Sequence, residues 1–131
     1  MKYIITLLFL LTNLLAIDGR EIFDRECVFC HDYFVSNKDF NKKVDGFQAP
    51  PMNRVSRRLK SLIKVHNEDA HRFTVISFIK EYIKKPSFDY YLCKDTAIAR
   101  FDVMPAITDL KDDEYQIISE WIYDNYSQED K

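Results

Sequence analysis

The sequence predicts an all-α domain, and three observations carry that expectation. Only two of its 131 residues are glycine and four are proline, too few for the turns of a β-rich barrel. Hydrophobic residues make up 47% and aromatics 15%, enough core material to argue against disorder. Apolar residues also recur at helical spacing in several separate stretches. The length suits one domain and is too short for two independent cores, so a large multidomain enzyme is excluded. A formal charge of −2 leaves no overall polycation, and nucleic acid is not an expected partner.

The elements follow in order. Residues 1–16 place Lys2 ahead of an almost unbroken apolar run, the outline of a secretory signal peptide. The run falls short of the roughly 20 residues that span a bilayer, so cleavage is favoured over a retained anchor. The working domain is then 17–131, exported to the periplasm, with membrane contact only if the leader stays. Asp18, with acids soon after it, opens a helix over 18–26 that runs into Cys27-Val28-Phe29-Cys30-His31. Residues 32–53 carry turn signals (Ser36-Asn37-Lys38-Asp39, Gly46, Pro50-Pro51) and predict an ordered loop. Val55, Leu59, Leu62 and Ile63 mark one amphipathic helix. Phe73, Ile76, Ile79, Tyr82 and Ile83 mark a second, stopped by Pro86. A short helix is expected within 90–100 and an extended stretch over 101–108, around Pro105. Asp112, Asp113 and Glu114 start a closing helix whose apolar face holds Tyr115, Ile118, Ile122 and Tyr126, with Trp121 beside them.

On a helical turn Cys27, Cys30 and His31 stand at i, i+3 and i+4, so two thiols and an imidazole leave the backbone on one side. That order suits covalent haem c: each thiol adds across one vinyl group and the imidazole reaches the iron. Cys-x-x-Cys-His is the corresponding attachment pattern. Three rival readings compete. A redox dithiol wants a βαβ context that this chain lacks. A zinc site of Cys27, Cys30, His66 and His71 has too long a spacing and leaves His31 idle. A structural disulfide would close too tight a loop to contribute much. The sixth iron position has Met104, Met52, His66, His71 and Cys93 as candidates. Met104 ranks first, because Pro105 stiffens the backbone beside it and a thioether can be held against a haem face. Met52, after Pro51, suits packing near the haem edge. His66 and His71 flank a helix start, where solvated histidines are usual.

These residues together resemble the monohaem class I c-type cytochromes of bacterial periplasms. The likeness runs from Gly19 through Ile22-Phe23, Cys27-Val28-Phe29-Cys30-His31, Ala49-Pro50-Pro51-Met52 and Met104-Pro105 to the aromatic closing helix. It implies a cytochrome c-like fold in which the first and last helices cross, bringing Gly19 and Phe23 to Ile118, Trp121 and Ile122. It implies His31 and Met104 as the iron's axial ligands, and the Pro50 carbonyl as acceptor of a bond from the second ring nitrogen of His31. Cys93 has no counterpart role and reads as a small buried hydrophobe. Lys111 stands where the family usually has a serine or threonine cap.

His/Met ligation favours the reduced iron and leaves no open coordination site. The expected function is thus an electron carrier rather than an enzyme, one haem shuttling electrons between respiratory-chain partners. A haem sensor or small redox enzyme with a displaceable sixth ligand is the alternative. Residues 54–66 carry +5 and residues 109–131 carry −6, so a charge dipole is expected, as a solvated face or as a patch that steers an acidic partner.

Overall fold

The computed structural model describes residues 17–43, 46–89, 92 and 95–126. The expected leader over 1–16, Cys93 and residues 127–131 lie outside them. The described residues form helices and loops with no strand, so the domain is all-α.

Helix α1 (Gly19–Glu26) starts where expected: the Asp18 carboxylate accepts the backbone N–H groups of Arg20 and Glu21. Its buried residues, Gly19, Ile22 and Phe23, occupy one face. The Cys27 N–H closes the helix on the Phe23 carbonyl at 2.8 Å. The next turn bonds Cys30 and His31 N–H groups to the Cys27 carbonyl, at 3.1 and 2.9 Å, which keeps the two cysteines and the histidine on one coil.

The expected loop over 32–53 is corrected by a second helix, α2 (Asn37–Lys43). Ser36 is its cap. The hydroxyl accepts the Asp39 N–H at 3.1 Å and donates to the Asp39 carboxylate at 2.7 Å. Ser-Asn-Lys-Asp is a turn signal and a helix start in one, and the residues downstream decide between them.

Helix α3 (Met52–Leu62) is entered through Pro51, which needs no N–H there. The apolar stripe predicted its buried face only in part. Leu59 is buried and Val55 and Ile63 pack half-buried against the core, but Leu62 is exposed. The buried face is Met52, Asn53, Ser56, Leu59 and Lys60. Three of these are polar, each held by bonds to a neighbouring backbone: Ser56 Oγ donates to the Ile122 carbonyl at 2.9 Å, and Lys60 Nζ donates to the Tyr126 carbonyl. Asn53 is described with the site.

Helix α4 (Glu68–Lys84) is capped by Asn67 and stops before Pro86. Val75, Ile76, Ile79 and Ile83 are buried. Phe73 departs from the expected stripe and stands 73% exposed. Helix α5 (Asp95–Phe101) buries nothing completely. It occupies the second half of the expected 90–100 span; Tyr90, Tyr91 and Lys94 lie outside the described residues. Helix α6 (Asp112–Asp124) presents Tyr115, Ile118 and Ile122 to the core, with Tyr126 just beyond it, as the periodicity predicts.

Helix α6 is the central element, packing against α1, α4 and α3. Gly19 and Phe23 meet Trp121, the Phe23 and Trp121 rings lying 5.1 Å apart, as the resemblance implied. Three acids of α6 are tied to other segments: Glu114 to Arg25, Asp124 to Arg72 and Asp112 to Lys84. The expected negative end of the dipole is therefore partly neutralised. No helix among the described residues is long and apolar enough to cross a membrane.

Candidate functional site

Around His31 the chain is folded back on itself. The His31 Nδ1–H donates to the Pro50 carbonyl at 2.7 Å, because a carbonyl can only accept, which leaves Nε2 as the ring's acceptor. Burial holds the imidazole below its ordinary pKa, with the Pro50 carbonyl and Asp32 acting the other way. His31 is thus kept in the neutral form that can donate a lone pair to a metal.

Backbone pairing fixes Pro50 in reach. The Met52 N–H donates to the Asp32 carbonyl at 2.8 Å and the Asn53 N–H to the Tyr33 carbonyl at 3.3 Å. The buried Asn53 amide then holds Val35 from both sides, accepting its N–H at 3.2 Å and donating to its carbonyl at 3.1 Å. Sequence reasoning missed Asn53. An amide one residue inside a helix, after two prolines, was the available signal.

Met104 is positioned from the other direction. Asp102, at φ 62°, takes the left-handed conformation that ends α5, with its N–H on the Ile98 carbonyl. Its carboxylate accepts the Val103 N–H at 2.7 Å. The segment that follows is tethered by the Ile107 N–H to the Ile83 carbonyl and by the Tyr115 hydroxyl to the Ile107 carbonyl.

Between these two supports lies an open cleft. Its volume is about 200 Å³. Cys30, His31, Pro50 and Met104 all line it, and its walls are Met52, Val55 and Leu59 of α3, Phe78, Ile79 and Tyr82 of α4, and Ile98 and Phe101 of α5. Four of the five residues predicted for cofactor binding are therefore gathered on one largely apolar cleft. Cys27 is the exception. It is buried in the core behind the turn, and burial pushes its thiol up to about 12. Met52 is buried at the cleft wall, consistent with packing rather than ligation.

The zinc reading is not assembled. His71 uses both ring nitrogens, bonding the Tyr123 hydroxyl at 3.0 Å and the Lys60 carbonyl at 3.1 Å, and His66 is exposed. Among the described residues no group of three His, Cys, Asp or Glu side chains is placed to hold a metal. Cys27 and Cys30 are free thiols, not a disulfide.

An uncharacterized protein of Aquifex aeolicus is 31% identical over 119 residues, covering 84% of this chain and 74% of that protein. The chain belongs to its family. No protein-family model matches the chain, and no solved structure does. Membership in this family supplies no activity, so function has to be argued from the cleft.

The donor set suits a flat, apolar, metal-bearing macrocycle. A lone imidazole nitrogen and a thioether share a cleft with few polar groups, and a thiol stands at its lip. The half-buried Pro50 carbonyl holds the imidazole through Nδ1 and leaves Nε2 out of that bond, while the buried Asn53 fixes the neighbouring segment at Val35.

Proposed function

We propose that the chain is a monohaem c-type electron-transfer protein of cytochrome c-like fold, exported to the periplasm, that exchanges electrons with respiratory partner proteins. The observation that carries this reading is the convergence of His31, Cys30, Pro50 and Met104 on one apolar cleft, from segments 73 residues apart in sequence between His31 and Met104. Cys30 would hold the haem covalently from the lip of the cleft, Cys27 would have to turn out of its core position to form the second bond, and His31 and Met104 would ligate the iron. When bound, the haem supplies a reversible one-electron change.

The chain's own residues set how that change is tuned. Pro50 fixes the His31 ring and its tautomer, so the imidazole need not reorient between oxidation states. Leu59, Ile79 and Ile83 are buried and give the cleft an apolar wall. A low-dielectric surrounding disfavours the extra positive charge of the oxidised state, and a soft thioether does the same. Both raise the potential. Tethering of residues 102–108 to α4 and α6 keeps the thioether from leaving.

Replacement of Met104 by alanine tests the reading. The wild-type spectrum should be six-coordinate, with a sulfur-to-iron band, and indifferent to carbon monoxide when reduced. M104A should lose that band and bind carbon monoxide. Carbon monoxide binding by the wild-type protein at neutral pH would instead support a haem sensor or a small redox enzyme. An unchanged M104A spectrum would remove Met104 from the iron.

A further inference from the structure

A second cleft, of about 630 Å³, opens on the other side of the wall formed by Pro50, Val55, Ala97 and Phe101. It differs from the first in the arginines that line it. Arg54, Arg57 and Arg58 of α3 converge there with Arg100 of α5, beside the hydroxyls of Ser61 and Thr96. No carboxylate is among the described residues that line it. Like charges gathered in a concavity repel one another, and field lines focus inside it, so the arrangement favours uptake of negative charge.

Two of the guanidiniums are already oriented. Arg54 lies over the Phe40 ring at 3.9 Å and donates to the Asn37 side chain at 2.9 Å. Arg58 Nε donates to the Leu92 carbonyl at 3.4 Å. Each has five N–H donors, so a single described bond still leaves a planar fork for an oxyanion. Burial and the neighbouring Arg57 both lower the Arg54 pKa, a cost that a bound anion would relieve.

We infer that this arginine cleft binds a small, multiply charged oxyanion, a phosphate ester or a polycarboxylate, in bidentate contacts from Arg54 and Arg58, with the charge of Arg100 beside them. The concave form selects a small molecule over a flat protein surface. The charge block in residues 54–66 was visible in the sequence, but Arg100 joins it only through the packing of α5. The site does not depend on the haem reading, since it uses none of the residues assigned to haem ligation.

The test is isothermal titration of the full mature protein at low ionic strength, with pyrophosphate and citrate as probes of the phosphate and carboxylate sources. Wild type should bind at least one of them saturably at one site. R58Q and R100Q should each weaken that binding about tenfold or more, the loss expected for one charge-assisted pair. Lys80→Gln, on α4 and outside the cleft, should bind as wild type does, and circular dichroism should show all three variants folded. No saturable binding of either probe overturns the inference. So does binding that R58Q and R100Q leave unchanged, or binding of an acidic peptide alone, which would make the cleft a protein-docking face. A colourless protein that still binds pyrophosphate through these arginines would support this site while removing the haem proposal.

Discussion

Gly19 and Trp121 approach so closely that a Cβ on Gly19 would lie 2.1 Å from Trp121 Cβ and 2.5 Å from its Cγ. The near atom is at the root of a side chain on a packed helix, so a rotamer change cannot make room. Glycine is required there by the approach of two helices, not by its own backbone conformation.

Gly19→Ala should therefore destabilise the protein despite alanine's better helix propensity. Overpacking of this kind costs about 1–3 kcal/mol, against a propensity gain of at most about 1 kcal/mol. Urea denaturation of G19A should show a lower midpoint than wild type. An equal or higher midpoint would mean that α1 and α6 are not packed this closely.

The buried Glu114 carboxylate ties two elements together, accepting the Lys111 N–H at 2.9 Å and Arg25 at 2.8 Å. These bonds, the backbone one foremost, hold its pKa below the usual 4.5. A lowered folded-state value means that the stabilisation is complete above the unfolded value and is lost as pH falls through the folded one. Denaturation midpoints should fall as pH drops below about 4.5, and E114Q, less stable at pH 7, should show a shallower acid decline. Parallel curves for the two proteins would contradict the assignment. The bond to Lys111 N–H also explains how α6 starts without a serine or threonine cap, since a lysine side chain has no acceptor to offer.

Asn53→Ala should cost about 1–3 kcal/mol, because it strands both polar groups of Val35 in a partly buried place. It should also speed hydrogen exchange of the segment around Tyr33 and Val35. A variant as stable as wild type would show that the 32–35 segment is held by other contacts.

At Asp102 the backbone is left-handed, so the outcome depends on the side chain introduced. D102V should lose about 1–2 kcal/mol, whereas D102G should stay near wild type, trading the carboxylate bond to Val103 for relief of backbone strain. Thermal melts of the two variants side by side decide this, and equal losses would argue against a left-handed residue there.

What the sequence revealed and what it hid divide along physical lines. Helices whose burial follows apolar periodicity, α1, α4 and α6, were legible, as were the Asp18 cap and the stop before Pro86. Helix α3 was legible as a helix but not by its inner face, because Asn53, Ser56 and Lys60 are buried through specific hydrogen bonds that no hydropathy pattern encodes. Phe73 fits a helical stripe by spacing, yet no element among the described residues covers it. Helix α2 was hidden because Ser36 serves turns and helix caps alike. For the site, Cys30, His31 and Met104 stand in local motifs and Pro50 follows only from the family resemblance, while their gathering on one cleft depends on long-range contacts that no motif contains. The core position of Cys27 had no local signature, and the clamp at Asn53 had only that of an amide just inside a helix after two prolines.

Intact mass under denaturing conditions, on protein matured in a host that attaches haem, tests the central proposal most directly. The expected mass is that of the polypeptide plus one haem that stays attached after unfolding, with complete loss of that added mass in the Cys27→Ala, Cys30→Ala double variant. A bare polypeptide mass from the wild-type chain would contradict it.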